Sequence, residues 1–294
     1  MLECSDRIAG VNLTQMYGIK KVSGKITALS PLFSGGDEKT GITQSLNRTT
    51  YIIDGEQVEI PFISGNEVRG YLRRLIMQDY INSTGFELNL ENKAHKQLFH
   101  TLFAGGMLQE VESKIQGQID LSGKRRIFEN ILPARLLGFS FGNQMIEGKL
   151  KVSPMLPICK ELKDFLPNGY ESDVSVFEML SKQFQTRRDE IREAKEKDEQ
   201  AVQMILEHEV FSAGAKFYQE FAVEDPDELC LSTLGRMIEL WNEKPYIGGK
   251  SSIGYGNLKL NYPAASSSEA YVNFTKLNAL KINETLAELA DLFA

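Results

Sequence analysis

Ile60-Pro-Phe-Ile-Ser-Gly-Asn-Glu-Val-Arg-Gly-Tyr-Leu-Arg-Arg74 is where the pattern of this chain turns from extended to helical. From Asn66 the apolar residues Val68, Tyr71, Leu72, Leu75, Ile76 and Tyr80 recur at helical spacing and make one stripe. Ser64 stands three residues before Glu67, the spacing of a capping box, so Ser64 is expected to cap the helix. A helix N-terminus carries unpaired N–H groups and a partial positive charge, and the Ser64-Gly65-Asn66 turn offers it to an anion such as a phosphate. Gly65 allows close approach of backbone. Arg69 and Arg73, four apart, are placed away from the stripe, within reach of a second phosphate. A capping serine and two solvated arginines would explain the same residues.

On the N-terminal side, Lys20 to Ala28 alternates, with Val22, Ile26 and Ala28 on one side, as in a half-buried strand. Ser30 to Gly41 follows as a loop with Gly35-Gly36-Asp37-Glu38-Lys39 at its centre. Tyr51-Ile-Ile and Gln57-Val-Glu-Ile flank Asp54-Gly55, the dipeptide of a tight type I′ hairpin. Further helices are expected near His95–Phe103 and Ser232–Trp241, and strands at Lys149–Val152, Glu207–Phe211, Lys216–Val223 and Tyr255–Leu260. That order predicts an α+β chain on an antiparallel sheet. Gln185 to Gln200 holds five basic and six acidic residues with only Ile191 and Ala194 apolar, so it cannot pack a core of its own. It is expected as a solvated arm or a helix that orders on a partner. After Ser266-Ser-Ser268 the tail to Ala294 has the spacing of an amphipathic helix.

Gly248-Gly-Lys-Ser-Ser-Ile-Gly-Tyr-Gly256 places four glycines in nine residues between a helix and a strand. Gly249-Lys250-Ser251 looks like the end of a phosphate loop, but that motif needs glycine where Lys244 stands and should follow a strand. An NTPase is therefore rejected, and a backbone that hugs a ligand or a tight turn remains. Catalytic signals are thin. His95, His100 and His208 make no His-x-x-x-His pair, and Asp37 and Glu38 lie in the glycine loop as a candidate general base or metal ligand, or as plain solvated acids.

Cys4, Cys159 and Cys230 are too few and too scattered for a disulfide framework or a Cys-x-x-Cys metal site, which suits a reducing cytoplasm. No secretory leader or membrane span is expected from the hydropathy pattern. The net charge of −7 argues mildly against nucleic acid, yet the positive charge is bunched at Lys20-Lys21, at Arg69, Arg73 and Arg74, at Lys124 to Arg126 and at Arg187-Arg188.

Four stretches in order resemble the RAMP superfamily of CRISPR-associated proteins, and within it the Cas-seven backbone subunits. They are Leu29 to Lys39, Ile60 to Gly70, Gln185 to Asp189 followed by Glu209 to Phe217, and Gly248 to Gly256. The resemblance implies a modified ferredoxin-like, or RNA-recognition-motif, palm over about 18–80 and 205–262. It also implies a finger insertion over about 81–148, a thumb-like arm over about 165–206 and a helical tail over 266–294. It implies an oligomer along a CRISPR guide RNA in a prokaryotic effector complex, with other effector subunits and a complementary target as partners and no cofactor, metal or membrane. Guide contacts are carried onto Ser64, Gly65, Asn66, Arg69 and Arg73, onto Gly249, Lys250, Ser251 and Ser252, onto Lys39 and Arg48, and onto Arg187 and Arg188 of the thumb. Pro61-Phe62 replaces the usual Pro-Gly of the family signature, and together with the glycine loops this points toward the type IV or type I branches. RNA-cutting relatives carry an aspartate shortly before the signature, where this chain has Asn47, a poor general base. Binding without cleavage is the expectation, with a ribonuclease using Asp37 as the alternative.

Overall fold

A computed structural model describes residues 18–40, 43–106, 119–141, 144–187 and 204–293. The strands are β1 (Ile19–Ala28), β2 (Gly35–Thr40), β3 (Thr43–Leu46), β4 (Arg48–Ile53), β5 (Glu56–Pro61), β6 (Phe139–Phe141), β7 (Gln144–Ile146), β8 (Leu150–Val152), β9 (Leu156–Pro157), β10 (Leu180–Arg187), β11 (Met204–Phe211), β12 (Lys216–Glu224) and β13 (Leu258–Asn261). The α-helices are α1 (Gly65–Thr84), α2 (Lys93–Phe99), α3 (Leu121–Asn130), α4 (Leu132–Leu137), α5 (Glu228–Glu243), α6 (Glu269–Leu277) and α7 (Ala279–Asp291).

The first sheet runs β13-β1-β12-β8, with β9 continuing beside β12, and every pair in it is antiparallel. Its strands and the two long helices follow the chain as β1, α1, β8, β12, α5, β13, the split βαβ plan of ferredoxin-like folds. β1 takes its central place because Val22, Ile26 and Ala28 alternate inward opposite Phe217 and Phe221 of β12. Tyr262, just past β13, lies over Gly24, where an added Cβ would stand 2.4 Å from its ring, and its hydroxyl donates to Gln219 Oε1 at 2.6 Å. α1 brings Val68, Leu72, Ile76, Met77 and Tyr80 to the core, and α5 adds Leu234, Met237, Ile238 and Trp241.

α6 and α7 cover the outer side of this helical layer. Asp79 of α1 accepts from Arg236 of α5 at 2.7 Å and from the Tyr271 hydroxyl of α6 at 3.0 Å. Thr285 of α7 accepts from Asn130 Nδ2 at 2.9 Å. The expected single tail helix is thus two helices divided at Asn278.

A second sheet, β10-β11-β3-β2, stands beside the palm. β10 and β11 form a long antiparallel ladder from Leu180↔Phe211 to Arg187↔Met204, and β11 runs parallel to β3 through Glu207↔Thr43 and His208↔Gln44. β2 corrects the loop expected over Ser30 to Gly41. Two glycines and a run of charges have little intrinsic β preference, but backbone pairing of Gly35 with Leu46 and Lys39 with Gln44 supplies the strand. The Asp54-Gly55 hairpin is present, with both turn residues at positive φ (51° and 87°) between β4 and β5. α5 starts at Glu228, earlier than its apolar stripe indicates, because Asp227 caps it by accepting from the Cys230 amide at 2.8 Å. α3 and α4 are additional to the helices expected from the sequence. Gln185 to Arg187 belong to β10, and Arg188 to Gln200 of the expected arm lie outside the described residues.

Candidate nucleic-acid interface

The two stretches singled out by sequence are joined by a third, Pro31 to Ser34, which links β1 to β2. On one side the glycine loop docks on it. The Gly249 amide donates to the Phe33 carbonyl at 2.8 Å, and the Gly256 amide donates to the Pro31 carbonyl at 2.9 Å. Gly248 has φ 87°, and a Cβ there would meet the Phe33 carbonyl oxygen at 2.4 Å, so only glycine fits the turn. On the other side Ser34 donates from Oγ to Glu67 Oε2 at 2.6 Å, in the first turn of α1. The loop and the helix N-terminus therefore share one backbone support.

At the helix start Ser64 caps as expected, its Oγ accepting from the Glu67 amide at 3.1 Å. The capping box is only half made, because the Glu67 carboxylate turns to Ser34 rather than back to Ser64. Burial raises the Glu67 carboxyl above its ordinary value, while the Ser34 hydrogen bond and the Arg74 charge lower it. With the cap spent on Glu67, the amides of Gly65 and Asn66 have no partner among the described residues and are free donors of the first turn. Gly65 is fixed by the chain itself, since a Cβ would stand 2.5 Å from the Val152 carbonyl oxygen at the end of β8. That internal contact, rather than approach of a ligand, accounts for the glycine.

Arg73 is corrected outright as a solvent-facing residue. It is 6% exposed, and its guanidinium donates to the carbonyls of Leu137 and Gly138, both at 2.8 Å, where α4 ends. Burial, with the nearby charge of Arg69, brings its pKa down to about 10. Arg69 is half-buried and donates to the same Leu137 carbonyl. The two arginines close the C-terminal end of α4, whose last carbonyls need donors. Arg48 pairs with Glu209, which also accepts from the Leu46 amide at 3.2 Å. These three cations hold elements together.

Lys250 has a different setting. It takes a left-handed backbone (φ 65°), and its ammonium lies 5.4 Å from the centre of the Phe33 ring and 3.0 Å from Gln185 Oε1, with His208 Nε2 also in contact. His208 is 3% exposed on β11, its ring 5.4 Å from that of Phe33. Burial lowers the pKa of both His208 and Lys250, and the Lys250 charge adds to the shift at His208. Ser251 and Ser252 follow on an exposed turn of 3-10 helix, and Asn66 is exposed at the start of α1. Lys39 lies on β2 and Arg187 at the end of β10, but their side chains, and Arg188 entirely, fall outside the description. Sequence reasoning missed Phe33, Gln185 and His208. The one available signal was the alternation that puts His208 on the same face of β11 as Val210.

Among the described residues no group of His, Cys, Asp and Glu is arranged to hold a metal ion, and no helix is long and apolar enough to cross a membrane. Cys159 and Cys230 are buried free thiols, and burial pushes them up to about 12 and about 11.

A ferredoxin-like palm with a strand-to-helix signature and a glycine loop docked on one support defines a class of α+β protein. The chain belongs to the RAMP superfamily, whose family profile matches residues 25–259. No curated protein matches it in sequence. A chain of a solved Type IV-B CRISPR Complex superposes with a TM-score of 0.57, covering 85% of this chain and 93% of its own length at 19% identity. At that identity the likeness is one of fold.

Proposed function

We propose that this protein is a non-catalytic backbone subunit of a CRISPR effector ribonucleoprotein, which holds guide RNA and lines up along it with further copies of itself. Other effector subunits and a complementary target nucleic acid are its further partners, and the prokaryotic cytoplasm is its setting. The observation that carries this reading is the shared docking of the glycine loop and the α1 N-terminus on Pro31 to Ser34, within a RAMP chain. The similarity in fold to a chain of a Type IV-B CRISPR Complex supports the same assignment and its type IV leaning.

The groups assembled there suit a phosphodiester backbone. Amides of Gly65 and Asn66, the hydroxyls of Ser64, Ser251 and Ser252, the Gly249 turn and the Lys250 ammonium recognise phosphate without reading a base. Sequence choice is then left to base pairing by the guide. Lys39 and the Arg187-Arg188 pair extend the contact, with the β10–β11 hairpin as the thumb, while Arg48, Arg69 and Arg73 support the frame. The protein binds RNA without cutting it. That reading rests on Asn47, an uncharged and poor general base at the position where the resemblance puts the aspartate of RNA-cutting relatives.

The test is purification from a host that transcribes the guide, followed by absorbance at 260 nm with and without ribonuclease. Ribonuclease-sensitive absorbance and a row of repeated subunits in micrographs are expected. Protein free of RNA would sink the proposal. Cleavage of a complementary RNA that is lost in Asp37→Ala would replace it with the ribonuclease reading.

A further inference from the structure

The contacts around Lys250 go beyond the assignment of a phosphate ligand, although they rest on the proposal that the glycine loop holds RNA. An ammonium has three donors and no acceptor. Toward His208 Nε2 and Gln185 Oε1 it therefore donates, so Nε2 is the unprotonated ring nitrogen and Nδ1 carries the hydrogen. The 3.1 Å separation of Gln185 Oε1 and His208 Nε2 is then no hydrogen bond but the spacing of two acceptors that share one ammonium. Nδ1 is buried without a partner among the described residues, so its N–H is an unsatisfied donor whose cost the contacts at Nε2 must offset. Phe33 completes the clasp, with its ring beneath the ammonium and against the imidazole.

Two of the three ammonium donors are thus directed at the paired strands β10 and β11, where Gln183 stands opposite His208, and the third is left for a ligand oxygen. The left-handed Lys250 backbone fixes where the side chain sets out. The geometry points to neutral His208, with Gln185, as the positioning residue of Lys250. Together they aim the ammonium at an RNA phosphodiester and tie the glycine loop to the β10–β11 hairpin. A side chain held in its bound geometry before the ligand arrives loses less freedom on binding, which strengthens affinity without a new contact.

The experiment follows the anisotropy of a fluorescein-labelled single-stranded RNA with the full-length protein. The variants are Lys250→Ala, His208→Leu, His208→Gln and the double variant His208→Leu/Lys250→Ala, with thermal melts reporting the fold of each. His208→Leu is expected to weaken binding about tenfold, the scale of one hydrogen bond to a charged group. His208→Gln, whose amide oxygen still accepts, is expected to restore binding to within about twofold of wild type. The double variant is expected to bind no worse than Lys250→Ala. If His208→Leu does not fold, the half-buried Gln185→Leu takes its place with the same expectations.

Imidazole nitrogen NMR provides a readout that does not depend on RNA. It should show the Nδ1–H form in the wild type and a changed Nε2 resonance in Lys250→Met. Multiplicative losses in the double variant, unchanged or tighter binding by His208→Leu, or an Nε2–H ring would overturn the assignment. If Lys250→Ala leaves RNA binding unchanged, the glycine loop is not a phosphate site. NMR then reports whether the clasp stands as a structural link alone.

Discussion

Two glycines with opposite demands illustrate how single residues are constrained. Gly65 sits in ordinary helical backbone, but a Cβ would press on the Val152 carbonyl at 2.5 Å, whereas Gly55 has φ 87° with nothing within 4 Å. Gly65→Ala is expected to cost about 1–3 kcal/mol by overpacking and to shift α1 against β8. Gly55→Ala should cost about 1 kcal/mol through backbone strain alone. Urea midpoints would check both, and an equal small loss would refute the overpacking account. His208 supplies a pH-dependent counterpart. Its folded pKa is lowered from 6.5, so its contribution is present above 6.5 and lost as pH falls through the folded value. Lys250 is the charged group in contact with the ring, while Glu207 and Glu209, its neighbours on β11, are engaged by Lys182 and Arg48. The drop in urea midpoint between about pH 8 and about pH 5 should be smaller in His208→Gln than in the wild type.

At the level of elements, the arginine tie between α1 and the end of α4 is the clearest departure from the sequence reading. Arg73→Ala should destabilise by about 2–4 kcal/mol, because two buried carbonyls lose charged donors, whereas Arg69→Ala should cost less while Arg73 still serves Leu137. Thermal melts separate the two, and equal losses would count against this hierarchy. The position was legible in principle. Arg73 is four residues before Met77 and seven before Tyr80, both buried, yet spacing alone reads a charged residue beside an apolar stripe as solvent-facing. β1, the Asp54-Gly55 hairpin, α1 and α5 could be read because each carries a period or a turn dipeptide within its own residues. β2 and β3 could not, since their residues have little β preference of their own and β3 gains its second partner, β11, from far along the chain. The site was half legible. Ser64 and Lys250 stood out as chemistry, whereas Phe33, Gln185 and His208 gain meaning only from three segments meeting.

For the whole molecule, the acidic net charge of −7 coexists with a local site of amides, hydroxyls and one clasped ammonium. RNA affinity should therefore fall steeply with salt, with log K against log salt linear and a slope near −0.7 per phosphate neutralised on a single strand. Lys250→Ala should reduce that slope by about one contact, and an unchanged slope would remove Lys250 from the phosphate set. The sheet order also bears on how the protein is made. β1 is the first described strand to be synthesised, yet its neighbours are β12 and β13. At about 5–20 residues per second, it emerges from the ribosome roughly ten to forty seconds before Lys216 to Glu224 can pair with it. Throughout that interval Val22, Ile26 and Ala28 have no sheet to enter, so the sheet of the palm closes only once β12 and then β13 have been made.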